Sequence, residues 1–330
     1  MTKQKKIVSG MRPTGKLHLG HLAGALDNWR QLQEDYECFY FAADWHALTT
    51  EYENTKIINE SIRDMFIDWL AAGLKPDQMT IFVQSKITVH AELALIFGMI
   101  TPLGWLERNP TYKEQLKELT TRDIQTFGFL GYPVLQAADI LMYKADGVPV
   151  GIDQAPHVEL TREIARRFNF LYGNVFPEPA TLLTEIPKLL GTDGRKMSKS
   201  YGNAILMADP EDEIRRKTAG MVTDPQRARR SDPGRPEMCN VFSFHQIYTP
   251  PEQVTAIAHD CRTAAIGCVD CKKILAGHLV TTLQPMQEIR RYYEARPAEL
   301  DDIIETGNKR CLTIAAQTMD EVRRAINVGI

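Results

Sequence analysis

The chain predicts an α/β fold: a parallel-sheet domain first, then an all-helical region. Three observations predict it. Strand-like runs alternate with helical stripes through the first part of the chain, a Gly- and Pro-rich turn follows the first of those runs, and strand signals stop at about Asp209.

Taken in order, Lys6 to Ser9 is a short β-like run that enters the turn Gly10 to Lys16. A helix follows, because Leu22, Leu26, Trp29 and Leu32 recur at three and four residues. Cys38 to Ala43 is aromatic-rich and strand-like. Ile58, Ile62, Phe66 and Leu70 form a second helical stripe, and Thr80 to Val83 another strand. Leu190 to Asn203 is polar and Gly-containing and reads as a mobile loop. Beyond it, Pro251 suits a helix start with Thr249 as a nearby cap. Leu275, Leu279, Leu283, Met286, Ile289 and Tyr293 keep helical spacing across Pro285, where a kink is expected. Cys311, Ala315, Thr318, Val322 and Ile326 mark one further helix. The domains expected are 1–190, a loop over 191–204, and helices over 205–330, the last of them packing back on the first domain.

The 330 residues are 44% hydrophobic and 25% charged, an ordinary globular profile that excludes a disordered, collagen-like or disulfide-scaffold chain. Thirty-nine Lys and Arg against 42 Asp and Glu give a formal charge of −3, so no global positive field draws the protein to nucleic acid. Ile7 and Val8 run straight into Ser9 and Gly10, leaving no apolar stretch for a secretory signal. The most apolar segment, Leu93 to Leu106, is broken by Thr101 and Pro102 and is shorter than the roughly 20 residues that cross a bilayer. A cytoplasmic protein without membrane partners is expected, and its six cysteines should then be free, catalytic or metal-bound rather than disulfide-paired.

The first strand-to-helix turn contains His18-Leu19-Gly20-His21. Such a turn delivers a helix N-terminus that favours phosphate. His18 and His21 can add hydrogen bonds to a polyphosphate, while Gly20, without a Cβ, admits a flat base. By itself the motif also fits a surface helix that happens to carry histidines. Far downstream, Lys196-Met197-Ser198-Lys199-Ser200 places two lysines on a loop that can close over a triphosphate and neutralise departing pyrophosphate. An exposed basic linker is the bland alternative. Paired in this order around an α/β region, the two motifs resemble the signatures of class I aminoacyl-tRNA synthetases, with Leu19 where isoleucine is usual.

The resemblance continues through YPVLQAADILMY at Tyr132 to Tyr143, VPVGIDQ at Val148 to Gln154, and KMSKSYGN. In that order and spacing the chain resembles the tryptophanyl enzymes, and the similarity covers most of it; the tyrosyl enzymes are the alternative. The resemblance implies a Rossmann-like catalytic domain, a helical domain meeting the tRNA anticodon, and a homodimer. The implied reaction joins L-tryptophan to the 3′ end of tRNA(Trp) through an adenylate, with Mg²⁺ on the ATP. It also implies ATP contacts by Met11, Arg12, Thr14, Gly20, His21, Gly151, Asp153, Lys196, Met197, Ser198 and Lys199.

Tyr132, Gln136, Asp139 and Tyr143 share one helix face, whose spacing alone fits either a solvent-facing stripe or a pocket wall. By resemblance, Asp139 matches the aspartate that reads the indole N–H, and Tyr132 and Gln154 match residues holding the ammonium and carboxylate. Val8 stands where tyrosyl enzymes place a tyrosine, which favours tryptophan. Gln136 gives a Gln-x-x-Asp pattern that tyrosyl enzymes share.

Cys239, Cys261, Cys268 and Cys271 follow C-x21-C-x6-C-x2-C. Cys268 and Cys271, one turn apart, aim at a common point, but the spacing does not separate structural Zn²⁺, an iron-sulfur cluster and unrelated core thiols. A bacterial group of similar enzymes carries a [4Fe-4S] cluster on such a quartet, which implies that cluster first and Zn²⁺ second. Cys38 and Cys311 read as packing residues. Arg215, Arg216, Lys217, Arg227, Arg229, Arg230, Arg235, Lys272 and Lys273 offer a local phosphate patch, or simply solvated helix faces. Two rival functions stay open: a small-molecule nucleotidyltransferase, which leaves the C-terminal half unexplained, and a silent iron-sulfur RNA sensor, which leaves both motifs unexplained.

Overall fold

The computed structural model describes residues 4–110, 112, 125–183 and 189–329. Its described residues form two compact units, the first from Met1–Gly15, Asn28–Glu185 and Arg296–Ile330, the second from Lys16–Asp27 and Ile186–Ala295.

The first unit is built on a five-stranded sheet in the order β3-β2-β1-β4-β5. The strands β1 (Lys6–Met11), β2 (Glu37–Ala42), β3 (Met79–Val83), β4 (Gly147–Val150) and β5 (Ala180–Leu183) pair in parallel throughout. β3 is wholly buried and β2 nearly so, which explains why their sequences are continuous apolar runs rather than alternating ones. Strand order reverses on either side of β1, so the carboxyl ends of β1 and β4 flank the point where a parallel sheet opens a crevice for ligands.

Helices α1 (Asp27–Asp35), α2 (Asp44–Glu51), α3 (Lys56–Ala71), α4 (Val89–Ile100), α5 (Phe127–Met142) and α6 (Ala155–Tyr172) come between or after the strands. The helix expected after the first turn arrives in three pieces: the short turn Leu19–His21, a π-helical turn over Leu22–Leu26, and α1. An extra residue per turn rotates the leucine stripe, a local event that periodicity does not register.

In the second unit lie α7 (Glu211–Ala219), α8 (Asn240–Tyr248), α9 (Pro251–Arg262) and α10 (Cys268–Glu294). Pro251 is the first residue of α9, but Pro250 and not Thr249 precedes it as the cap; the Thr249 hydroxyl instead bonds His245 Nδ1 at 2.8 Å. α10 continues through Pro285 as one helix, held by buried Leu275, Leu279 and Leu283.

The last helix, α11 (Pro297–Ile326), packs within the first unit. Cys311, Ala315, Met319 and Val322 are fully buried in its core, and the Asn308 side chain accepts a 3.0 Å bond from the Val83 N–H. That bond satisfies a donor on edge strand β3. Gly307 makes the approach possible, since a Cβ there would overlap the Ile81 carbonyl.

Candidate active site

The strongest constellation in the first unit surrounds Asp139, fully buried on α5. Its Oδ2 accepts from His46 Nε2 and Gln84 Nε2 at 2.8 Å each, and its Oδ1 from His90 Nδ1 at 2.6 Å and from the same Gln84 nitrogen at 2.8 Å. His90 Nε2 is 2.7 Å from the Tyr143 hydroxyl. Burial by itself would raise the Asp139 carboxyl, but the hydrogen bonds from His46 and His90 outweigh it and hold the group below its ordinary range. The stripe on α5 therefore does not face solvent at this end, because Asp139 and Tyr143 are both buried.

His46, Gln84 and His90 were not singled out from the sequence. Two of them carry a legible signal: His46 follows β2 and Gln84 follows β3, at the carboxyl ends of parallel strands where such folds place ligand groups. Gln84 Oε1 also accepts from Trp45 N at 3.1 Å, so one amide braces both strand ends and the carboxylate.

Near this network, three buried polar atoms have no hydrogen-bond partner among the described residues: His46 Nδ1, Gln136 Oε1 and His157 Nε2. With His46 Nε2 donating to Asp139, His46 Nδ1 is an acceptor. Asn109 Nδ2 lies 3.2 Å from His157 Nδ1, which leaves His157 Nε2 as a donor. The Tyr132 ring stands edge-on to both imidazoles, with centroids at 4.7 and 5.2 Å. Unsatisfied buried polar atoms are costly in an empty cavity and ordinary in a ligand site. Burial lifts the Tyr132 hydroxyl to about 12, with Arg12, Asp139 and Asp153 close enough to act on it. Arg12 follows β1 and bonds Thr50, while Asp153 and Gln154 follow β4 and bond each other at 3.0 Å. Gly151 caps the short turn that carries both, and Met11 and Thr14 are half-buried on either side of Arg12. Val8 lies fully buried in the core beside Phe39.

In the second unit, both histidines of the first turn are oriented by backbone donors. Gly20 N bonds His18 Nδ1 at 3.1 Å and His18 N bonds His21 Nδ1 at 3.2 Å, a reciprocal cap on the short helix. With each Nδ1 accepting, the proton of each neutral ring sits on Nε2, ready to be donated. Burial, then Lys199, lowers His18 to about 4; burial, His18 and Lys199 hold His21 well below its usual value. The turn thus offers neutral N–H donors, with the positive charge carried by the lysine.

The Lys196 to Lys199 segment is not a free linker. Met197 is buried, with its sulfur beside Gly20, and residues 199–201 form a short 3₁₀ turn closed by Gly202 in the left-handed region. Leu190 pairs with Lys196 across the base of the loop, and Val222 N bonds Thr192 O at 2.8 Å. The loop expected to be mobile is therefore tied at its root.

The four cysteines of the quartet are free, half-buried and gathered at helix ends: Cys239 before α8, Cys261 near the end of α9, Cys268 and Cys271 in the first turn of α10. Burial, and then the thiols of Cys239, Cys261 and Cys268, push Cys271 up to about 12. Arg227 Nη1 lies 3.6 Å from Cys261 Sγ. As the side chains stand, no group of three or more His, Cys, Asp or Glu among the described residues is set to hold a metal ion. Much of the nearby basic patch is engaged: Arg215 with Glu211 at 2.8 Å, Lys217 with Asp209 at 2.6 Å, and Arg235 with Asp224 at 2.5 Å.

The family described as tRNA synthetases class I (W and Y) matches residues 1–284, and the chain belongs to it. Its relatives include the tryptophan–tRNA ligase of Thermotoga maritima, 56% identical over 98% of this chain and 99% of that one. That of Aquifex aeolicus is 49% identical over 98% and 100%. Among solved structures, the tryptophanyl-tRNA synthetase of Campylobacter jejuni, complexed with ADP and tryptophan, superposes with a TM-score of 0.88 at 29% identity, covering 98% of this chain and all of that one.

Proposed function

We propose that Asp139 reads the indole N–H of tryptophan and that Lys196 and Lys199 stabilise pyrophosphate as it leaves. The enzyme is a tryptophan–tRNA ligase: it activates L-tryptophan with ATP to the adenylate and transfers it to the 3′ end of tRNA(Trp). The observation that carries the specificity reading is the fully buried Asp139 carboxyl braced by His46, His90 and Gln84. Gln84 spans both carboxylate oxygens with one nitrogen, so it can surrender one to an incoming indole and keep the other. A side chain without such a donor gains no bond at Asp139 and leaves Gln84 on both oxygens, so the site favours a substrate that brings one. The orphan atoms of His46, Gln136 and His157 lie with Tyr132 where the amino acid's polar end needs partners, and Gln154 and Val8 complete the substrate contacts in this reading.

The substrate carboxylate is already ionised at neutral pH, so activation needs no protein base. Catalysis rests on positioning and on charge stabilisation at the phosphates. His18 and His21 donate to phosphate oxygens through Nε2–H, and Mg²⁺ enters with ATP. In this division residues 1–190 hold ATP and amino acid, with Met11, Arg12, Thr14, Gly20, Gly151 and Asp153 on the nucleotide. Residues 191–204, including Met197 and Ser198, close on the phosphates. Of the helices over 205–330, α7 to α10 meet the anticodon, while α11 belongs to the first unit.

Four thiols at neighbouring helix ends have the donor chemistry of a [4Fe-4S] cluster, with Zn²⁺ as the alternative, although their side chains as they stand do not form a ligand set. The test is metal and sulfide analysis of anaerobically purified protein: iron with acid-labile sulfide would support the cluster, and stoichiometric zinc would support the alternative. Exposed apolar residues Leu95 and Met99 of α4, 63% and 74% exposed, support a homodimer. No helix among the described residues is long and apolar enough to cross a membrane, and we place the enzyme in the cytoplasm with its tRNA.

Amino-acid-dependent ATP–pyrophosphate exchange is the test. Exchange with tryptophan, and not with tyrosine or phenylalanine, is expected; comparable exchange with tyrosine overturns the role given to Asp139.

A further inference from the structure

We infer that Asn203 is a positioning residue for the activation step: its buried carboxamide sets the backbone on both sides of Met197 and thereby places Lys196 and Lys199. The inference rests on the role proposed above for those lysines.

Asn203 stands two residues beyond the 3₁₀ turn that ends the lysine segment and is only 3% exposed. Its Oδ1 accepts from Ser198 N at 2.8 Å, and its Nδ2 donates to Lys196 O at 3.1 Å and to Asp193 Oδ1 at 2.7 Å. One side chain thus holds the peptide groups before and after Met197, whose sulfur rests beside Gly20 of the histidine turn. The Asn203 backbone carbonyl accepts from Thr192 N at 2.8 Å, which ties the two ends of the loop together. Asp193 is fixed in turn by Asn203 and then by the Arg195 backbone and side chain, which lower its carboxyl to about 2. Gly191 lies against the same amide, where a Cβ would overlap it, and its carbonyl accepts a 2.8 Å bond from Asn240 Nδ2 on α8.

Asn chemistry is specific here. The position needs an acceptor for one N–H and two donors for a carbonyl and a carboxylate, a set that an amide supplies and that Ala, Ser or Asp does not. The lysines are long and flexible, so the accuracy with which they meet a phosphate is set by the backbone beneath them. Misplacing a charge-stabilising group by about 1 Å costs on the order of 100-fold in rate. Lys199 lies close enough to His18 and His21 to lower both imidazoles.

The test compares Asn203→Ala, the same-sized Asn203→Asp, and Lys199→Ala in tryptophan-dependent pyrophosphate exchange. Rates are normalised to active sites counted by tryptophan binding, and hydrogen exchange is followed peptide by peptide. The expected result is a fall in kcat of about 100-fold for both Asn203 variants. The KM for tryptophan should stay within about threefold, and protection should be lost over 191–203 but not in the helices around it. Combining Asn203→Asp with Asp193→Asn reverses donor and acceptor of the 2.7 Å bond and should recover part of the rate. A normal kcat per active site, or loosening spread through the whole second unit, overturns the inference. If Lys199→Ala also leaves the rate intact, the reading of the lysine segment itself fails; if only Lys199→Ala is slow, the segment stands and Asn203 does not position it.

Discussion

The Asp139 network and the lysine loop are held by opposite means. Among the described residues, Asp139 is bonded by side chains from distant parts of the chain, and the carboxylate is sealed from water. In the loop, most constraints are backbone groups within 14 residues of one another, tied through one amide, while Lys196 stays exposed. The contrast teaches a division of tasks. Recognition of one N–H donor needs a rigid acceptor whose desolvation has already been met, whereas stabilising a departing polyphosphate needs charges that follow it.

The sharpest way to break this comparison is Asp139→Asn. It replaces an acceptor-only group with one that also donates, against His46, His90 and Gln84 at once. Tryptophan-dependent exchange should fall about 10⁴-fold, and denaturant unfolding should show a loss of roughly 3–5 kcal/mol. A variant that keeps its rate would place the indole acceptor elsewhere. Lys199→Ala is expected next, with kcat lower by about 10²–10³-fold and tryptophan KM nearly unchanged. Equal losses in both constants would show ground-state binding instead.

Acid acts on both regions through buried histidines, with an effect spread over more than two pH units. His18 and His157 are lowered to about 4 in the folded protein, so between about 6.5 and 4 the unfolded chain binds more protons. Stability should therefore fall as pH drops through that window, by on the order of 1.4 kcal/mol per pH unit for each such histidine. Asp139, whose carboxyl is held below its usual range, adds a stabilising contribution present above the unfolded value and lost only as pH falls through the folded one. Urea titrations from pH 7 to 4 give the slope, and a flat profile would mean these imidazoles are charged when folded. The smallest effect belongs to the surface: Arg215→Ala breaks an exposed pair with Glu211 and should change stability by less than about 0.5 kcal/mol.

Much of this was legible in the sequence where information is local. The β1–β3 runs, the α3 stripe, the histidine turn and the lysine segment all occupy contiguous residues whose spacing maps onto one strand, helix or loop. The π-helical turn at Leu22–Leu26 and the Pro250 cap differ from the reading by a residue or so, the scale at which periodicity loses phase. His46, Gln84 and His90 escaped because they lie 93, 55 and 49 residues from Asp139 and are single polar residues in otherwise ordinary segments. Asn203 escaped for another reason: it sat within view of the motif, but a conformational role for an amide has no signature apart from the bonds it makes.

By itself, then, the sequence determined the element types, the parallel α/β class and the two signature motifs, because backbone preference and hydrophobic period act over a few neighbouring residues. Tertiary structure decided that Asp139 is buried and ionised, which ring nitrogens carry protons at His18 and His21, and how firmly the lysine loop is rooted. Those properties depend on desolvation and on the placement of hydrogen-bond partners, remote ones for Asp139 and nearby ones for the histidine turn and the loop, and both exist only once the chain has packed.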